Sequence, residues 1–342
     1  MMIAALVILI LIPGLIFYLL RGGPRLPAET DAIIQRVMRG DLPELVTGET
    51  GHATSHGLKI WYERLEPTGA MRGTLLLNMG SGGSAIEWTP GFLRTFTDAG
   101  YQVIRYDYRG TGLSDWVKDW SRKNPYTIAD MADDALAVLD ALYIEQTHVL
   151  GLSMGGMIAQ AMAIKQPHRF RSLILLMTSG DIGDPDMPSL SSRYFLGALL
   201  KGLPLLRYRL VGGEKNLIKE RVAKLISFAG SDNLHIEETA ETVLYDLRKR
   251  RGFNLKAVFQ HQTAVTISGS RYEQLKSLPI PALVIHGTAD QMIPVEHGKK
   301  LVAVLPDATG LWLDGVGHGW PVPNMDRVND AILAHLNTHE HS

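Results

Sequence analysis

The chain has 342 residues, 46% of them hydrophobic and 20% charged, which suits one large α/β domain or a domain carrying an insertion. Its 34 Lys and Arg against 35 Asp and Glu leave a formal charge of −1, so nothing in the balance calls for a polyanionic partner such as nucleic acid. Cysteine is absent, which excludes disulfides, thiolate catalysis and cysteine-ligated zinc.

Ile3 to Leu20 carries no charge and as a helix would extend about 27 Å, close to the thickness of a bilayer's hydrocarbon core. A Pro such as Pro13 is tolerated in a span of this kind. No basic residue precedes the run and no A-x-A site precedes Arg21, which speaks against a cleaved signal peptide. The expectation is a single-pass membrane anchor over 1–20 and a juxtamembrane linker over 21–55, with an amphipathic helix near Asp31 to Met38. Arg21, Arg25, Arg36 and Arg39 follow the span, which by the positive-inside rule keeps the rest of the chain cytoplasmic.

Beyond the linker, strand and helix patterns alternate. LKIWYERL (58–65) alternates like an edge strand, and GTLLLN (73–78) is a short apolar run ending in glycines. YQVIRYDYRG (101–110) and THVLGL (147–152) give the next two strands. RSLILLMTSG (171–180) and PALVIHG (281–287) read as buried parallel strands, and TGLWLDG (309–315) completes the set. Thr127 opens a helix through a Thr-x-x-Asp capping box, with Ile128, Met131, Ala135 and Leu139 at helical spacing. MGGMIAQAMAIKQ (154–166) is a second helix. This alternation predicts a doubly wound, mostly parallel α/β sheet over 56–181 and 276–342. Residues 182–275 carry helical patterns without a convincing strand and read as an inserted helical cap.

Within that frame, HVLGLSMGGMIAQ (148–160) sets Ser153 at a strand-to-helix junction, with Gly151 two residues before it and Gly155 two after. A sharp elbow there would hold the hydroxyl out as a nucleophile. A serine hydroxyl needs a base, a group that orients the base, and donors for the oxyanion. Asp290 follows a buried strand in HGTADQMIP, and Asp181, after LLMTSG, is a second carboxylate in a comparable place. His318 follows the last strand in DGVGHGW, and completes the chain order Ser, acid, His. The oxyanion N–H groups are expected from Met154 and from the loop Met79-Gly80-Ser81-Gly82, at Ser81. GSGGSA (80–85) also fits a dinucleotide fingerprint, but Trp88-Thr89-Pro90 spoils the helix such a site needs. Asp107, Arg109, Gly110, Gly112 and Ser114 in DYRGTGLSD read as a hydrogen-bonded scaffold. His286, at a strand end, reads as a packed core residue.

On these residues the chain resembles the α/β-hydrolase superfamily across about 56–338, through NMGSGGS, DYRGTGLSD, GLSMGG, HGTADQMIP and GVGHGW in the family's order. The loop at 79–82 and the helix MADDALAVLDAL look most like the aclacinomycin methylesterase and proline iminopeptidase-like branch. The resemblance implies a triad of Ser153, Asp290 and His318, with oxyanion donors at Ser81 and Met154, and no metal or organic cofactor. One departure is Met79, where many relatives have a His in a His-Gly-x-Gly pattern, so that histidine's hydrogen bonds are missing.

The expected activity is hydrolysis of carboxylic esters, the partners a small-molecule ester and, through the first helix, a membrane. Two rivals use the same scaffold: a cofactor-free peroxidase or acyltransferase, and a binding protein without catalysis. The basic residues of LGALLKGLPLLRYRL (196–210) and RKRR (248–251) would fit a solvated face or one that leans on an anionic membrane.

Overall fold

The strand patterns assemble into one eight-stranded sheet: β1 (Glu49–Ser55), β2 (Leu58–Leu65), β3 (Gly73–Asn78), β4 (Tyr101–Tyr106), β5 (Thr147–Leu152), β6 (Phe170–Leu176), β7 (Ala282–Gly287) and β8 (Ala308–Leu313). Their spatial order is β1-β2-β4-β3-β5-β6-β7-β8. The first two pairings are antiparallel and the other five parallel. Strands β4, β5 and β7 are buried at every residue, as expected of parallel strands covered on both faces. The computed structural model describes residues 13–14, 16–188, 197, 200–229, 234–320 and 325–340.

The strand at 58–65, read as an edge from its alternation, is second in the sheet. The edge on that side is β1, whose sequence ETGHATS buries only Ala53 and Ser55. Its turn into β2 is the pair His56-Gly57, both with positive φ (48° and 76°), between the paired residues Ser55 and Leu58. Two residues in that conformation make the tight hairpin that matches strand twist.

Chain order runs from β3 outward to β4 and then back across to β5 on the other side of β3. The C-terminal ends of β3 and β5 therefore border the topological switch point, where open α/β sheets bind ligands.

The described residues also form the helices α1 (Thr30–Arg39), α2 (Pro90–Asp98), α3 (Ile128–Ala141), α4 (Met154–Lys165), α5 (Leu206–Val211), α6 (Glu214–Ala229), α7 (Ile236–Lys249), α8 (Leu255–Ile267), α9 (Tyr272–Leu275), α10 (Val295–Val304) and α11 (Met325–Thr338). The capping box of α3 forms: Thr127 N donates to Asp130 Oδ2 at 2.7 Å and Asp130 N to Thr127 Oγ1 at 3.3 Å.

The chain divides into two compact units, Met1–Pro43 with Leu190–Leu247 and Gly319–Val322, and Glu44–Ser189 with Arg248–His318 and Pro323–Ser342. In the first unit, Ile34 and Val37 on the apolar face of α1 pack with Ile218 and Val222 of α6 and Ile236, Ala240 and Leu244 of α7. Lys215 and Lys219 also reach Asp31 of α1, at 2.7 and 2.8 Å. Residues 21–55 thus hold a packed helix and a paired strand. The second unit contains the whole sheet together with α8 and α9.

The membrane localisation expected from the N-terminus is corrected. Among the described residues no helix is long and apolar enough to cross a membrane, and residues 1–12 and 15 of the expected span lie outside the described residues. Its described end, 16–21, is helical and bonded to the chain itself. Tyr18 Oη donates to Leu200 O at 2.6 Å, and Arg207 Nη1 donates to Gly22 O at 2.6 Å. The cytoplasmic placement derived from that anchor falls with it.

The basic stretches are engaged internally as well. Arg209 pairs with Glu220 at 2.7 Å. Arg250 is buried against Asp107 and lies 4.5 Å over the Trp61 ring. Arg251 stacks 4.3 Å from the Trp116 ring and donates to Ser114 O.

Candidate active site

Ser153 sits between the end of β5 and the first turn of α4 with φ 55° and ψ −119°, a conformation that non-glycine residues adopt only when the surroundings enforce it. Here Ser153 N donates to Leu176 O at 2.8 Å and Ser153 O accepts from Thr178 Oγ1 at 2.7 Å. The neighbouring glycines are needed for clearance. A Cβ at Gly151 would lie 2.3 Å from Gly155 O, one at Gly155 would lie 2.2 Å from Asn78 O, and one at Gly156 would lie 2.6 Å from Thr178 Cγ2. The helix can start this close to β3 and β6 only with no side chain at those positions.

Asp290 lies beyond β7, its carboxylate fully buried. Oδ1 accepts from the amides of Met292 and Ile293, each at 2.9 Å. Oδ2 faces His318 Nδ1 at 2.7 Å and His286 Nε2 at 3.3 Å. Burial by itself would raise this carboxyl, but hydrogen bonds from His286 and His318 outweigh it and hold the pKa at about 2.

His318 follows β8. Its Nε2 is 3.1 Å from Ser153 Oγ, so Ser153, His318 and Asp290 form one hydrogen-bonded line. The loops carrying Asp290 and His318 are bonded to each other, with Ala289 N donating to Val316 O and Gly315 N to Thr288 Oγ1, both at 2.9 Å. The other carboxylate, Asp181, instead accepts from Gly183 N at 2.8 Å.

The loop after β3 runs beside the elbow. A Cβ built at Gly80 would lie 4.0 Å from Ser153 Cβ. Tyr108 Oη donates to Met79 O at 2.6 Å, and Gly83 N donates to Gly80 O at 3.2 Å. Ser81 Oγ accepts from Gln262 Nε2 at 3.1 Å. Met154 is the first residue of α4, where amide N–H groups lack partners within the helix and the helix dipole favours negative charge.

Asp107, Arg109 and Ser114 are spent on structure. Asp107 accepts from Ala85 N at 2.9 Å, from Leu113 N at 2.8 Å and from Arg250. Arg109 makes a two-pronged pair with Asp134 at 2.6 and 2.7 Å, and Ser114 Oγ donates to Asp107 O at 2.7 Å. The stretch GSGGSA leads into a three-residue turn of helix at Ala85–Glu87 rather than a helix that could cradle a pyrophosphate.

Two histidines near the site do more than the sequence suggests. His286 is buried as expected of a core residue, but it also touches the carboxylate of Asp290. Its position four residues before the acid was the available signal. His261 of α8 is bonded to the loop after β3, at Gly82 N, and nothing local in the sequence marks it. Among the described residues, one group of His and Asp could hold a metal: His56, Asp130 and Asp133. Lys165 Nζ already pairs with Asp133 at 2.5 Å, and Asp130 is engaged by Thr127.

A family model described as the alpha/beta hydrolase fold matches residues 73–319. The chain is 29% identical over 306 residues to rhodomycin D methylesterase DauP of a Streptomyces species, covering 82% of this chain and 96% of the relative. It is 31% identical over 274 residues to the 2-hydroxy-6-oxononadienedioate/2-hydroxy-6-oxononatrienedioate hydrolase of Paraburkholderia phymatum, covering 79% and 88%. Among solved structures, the esterase RhEst1 from a Rhodococcus species superposes with a TM-score of 0.64 at 21% identity, covering 85% of this chain and 99% of that one.

Proposed function

We propose, of a chain that belongs to the α/β-hydrolase fold family, that it cleaves carboxylic esters as a serine hydrolase through an acyl-enzyme. The observation that carries this reading is the line Ser153 Oγ, His318, Asp290, with steps of 3.1 and 2.7 Å, at the switch point of the sheet. His318 Nε2 takes the hydroxyl proton as Ser153 attacks the acyl carbon, then returns it to the departing alcohol. Nδ1–H stays bonded to Asp290, which is ionised at neutral pH and stabilises the imidazolium. The negative oxygen of the tetrahedral intermediate is held by the N–H groups of Ser81 and Met154, each worth about 3 kcal/mol of transition-state stabilisation. Water, deprotonated by His318, then releases the acid.

One relative is named a methylesterase and another a hydrolase of oxo-dienedioates, which supports a small organic acyl substrate with water as acceptor. In this reading the α/β core expected over 56–181 and 276–342 holds the chemistry, and of the insert expected over 182–275 the part from Arg248 onward, with α8 and α9, belongs to the same compact unit as the sheet.

The test is labelling by a fluorophosphonate, followed by turnover of a p-nitrophenyl ester series. Wild type is expected to be labelled at Ser153 and to release acid, and Ser153→Ala to do neither. A folded wild-type protein that resists the label and leaves short-chain esters intact refutes the reading. Transfer of the acyl group to added alcohol or peroxide in preference to water would instead show an acyltransferase or perhydrolase.

A further inference from the structure

His261 is fully buried in α8, with its ring edge-on to Tyr108 at 5.6 Å and to Tyr126 at 6.2 Å. Both ring nitrogens are used, Nδ1 at 3.0 Å from Gly82 N and Nε2 at 3.0 Å from Arg109 O. An amide N–H can only donate and a carbonyl can only accept. The partners therefore fix the ring as the neutral tautomer with Nδ1 bare and the proton on Nε2. Burial holds its pKa down at about 4, which keeps that form in place at neutral pH.

Gly82 follows Ser81, so its N–H belongs to the peptide plane that leaves Ser81. A bond that fixes this plane restricts where the preceding Ser81 N–H points. Two neighbours of His261 on the same helix face press on the same loop. Gln262 Nε2 donates to Ser81 Oγ at 3.1 Å. Val258 Cγ2 lies 2.5 Å from where a Cβ at Gly82 would be, and Gly82 has φ +72°. Positions 258, 261 and 262 are spaced i, i+3 and i+4, one face of a helix. Met79 has an apolar side chain, and the loop takes its imidazole from α8.

We propose that His261 is a positioning residue for ester hydrolysis: its Nδ1 holds the Gly82 amide, and through it the Ser81 N–H, where the oxyanion forms. This rests on the serine-hydrolase reading above. Without that bond the loop keeps its backbone path near Met79, through Tyr108, but the Ser81 donor is free to turn away. Misplacing a donor is a transition-state defect, so it lowers kcat and leaves substrate binding nearly untouched.

The test compares His261→Asn with His261→Gln in the full-length protein, because each keeps one of the two bonds. In H261N the amide oxygen stands where Nδ1 stood and still accepts from Gly82. In H261Q the amide reaches the Nε2 position and still donates to Arg109. With p-nitrophenyl butyrate, and with active sites counted by fluorophosphonate, H261N should keep kcat within about fivefold of wild type. H261Q should lose about 30- to 100-fold, with KM within about threefold. A trifluoromethyl ketone, which forms a tetrahedral adduct with an oxyanion, should weaken in H261Q by the same factor as kcat/KM. Equal kcat in the two variants, or a loss confined to KM, overturns the proposal, since a purely structural histidine would produce either. A wild type that is not labelled at Ser153 overturns the parent reading and this one together. A labelled wild type beside a fully active H261Q overturns this one alone.

Discussion

Replacing Asp290 by Asn removes one charge and almost no volume, and the surrounding amides decide how the new side chain sits. The oxygen at the Oδ1 position accepts from Met292 N and Ile293 N at 2.9 Å. Turning the amide NH2 toward those two donors would leave buried groups unpaired, at about 1–3 kcal/mol each. The oxygen of the introduced asparagine therefore stays with them and the NH2 faces His318. Nδ1 of His318 must then accept, which moves the ring proton to Nε2, 3.1 Å from Ser153 Oγ. The imidazole would donate to the hydroxyl it ought to deprotonate. The expected loss in kcat is about 10⁴-fold, the size seen when a triad histidine is held in the wrong tautomer, with KM little changed. Stability should fall too. The carboxyl lies at about 2 against an ordinary 3.8, which corresponds to about 2 kcal/mol favouring the ionised form in the folded state. That contribution is complete above 3.8 and is lost as pH falls through about 2, so at pH 7 the variant lacks all of it. Turnover of p-nitrophenyl butyrate per titrated site, with a thermal melt alongside, measures both effects. A folded D290N that keeps more than a tenth of wild-type kcat would refute the role assigned to Asp290.

Three further outcomes follow from the geometry. Gly155→Ala sets a Cβ 2.2 Å from Asn78 O and 2.5 Å from Met79 O, both backbone atoms, whereas Gly69→Ala meets nothing within 4 Å. The first should yield misfolded protein or a melting point lower by more than about 10 °C, and the second should melt within about 1–2 °C of wild type; similar melts for both would contradict this. Arg250→Ala leaves the buried Asp107 carboxylate without its ion-pair partner and should cost about 3–5 kcal/mol in urea unfolding, while exposed Lys249→Glu should change stability by less than about 0.5 kcal/mol; equal costs would contradict the pairing. Burial, joined for His335 by the nearby His339, holds His261 and His335 down at about 4. The unfolded chain therefore binds more protons below about 6.5, and stability should fall by about 1.4 kcal/mol per pH unit for each between there and 4. Urea midpoints that do not move across that window would exclude it.

The parallel core of the sheet was readable because strands buried on both faces are continuous apolar runs. GTLLLN and THVLGL form strands at the expected limits. Ser153 and Asp290 follow such strands, β5 and β7, whereas His318 follows the half-exposed β8, so only chain order pointed to it. β1 was not readable: ETGHATS has almost no apolar content, and its register comes from the His56-Gly57 turn. Basic character misled at 248–251, where composition suggests solvent but Arg250 is buried against Asp107. The hydrophobic N-terminus misled in the same way, since a count of uncharged residues carries no information about the contacts that Tyr18 and Gly22 make within the chain. His261 was invisible because its partner lies 179 residues away, and no local period encodes such a contact.

The single carboxylate of Asp107 receives bonds from Ala85 after β3, from Leu113 after β4 and from Arg250 past α7. Anyone recombining this chain with a cousin should treat that carboxylate as a boundary marker. A transplanted helical insert whose downstream junction falls before residue 250 leaves Arg250 with its host and must reproduce the packing of α6 and α7 against α1. A junction placed further along replaces residue 250, and a donor segment without an arginine there would unfasten two loops of the host at once.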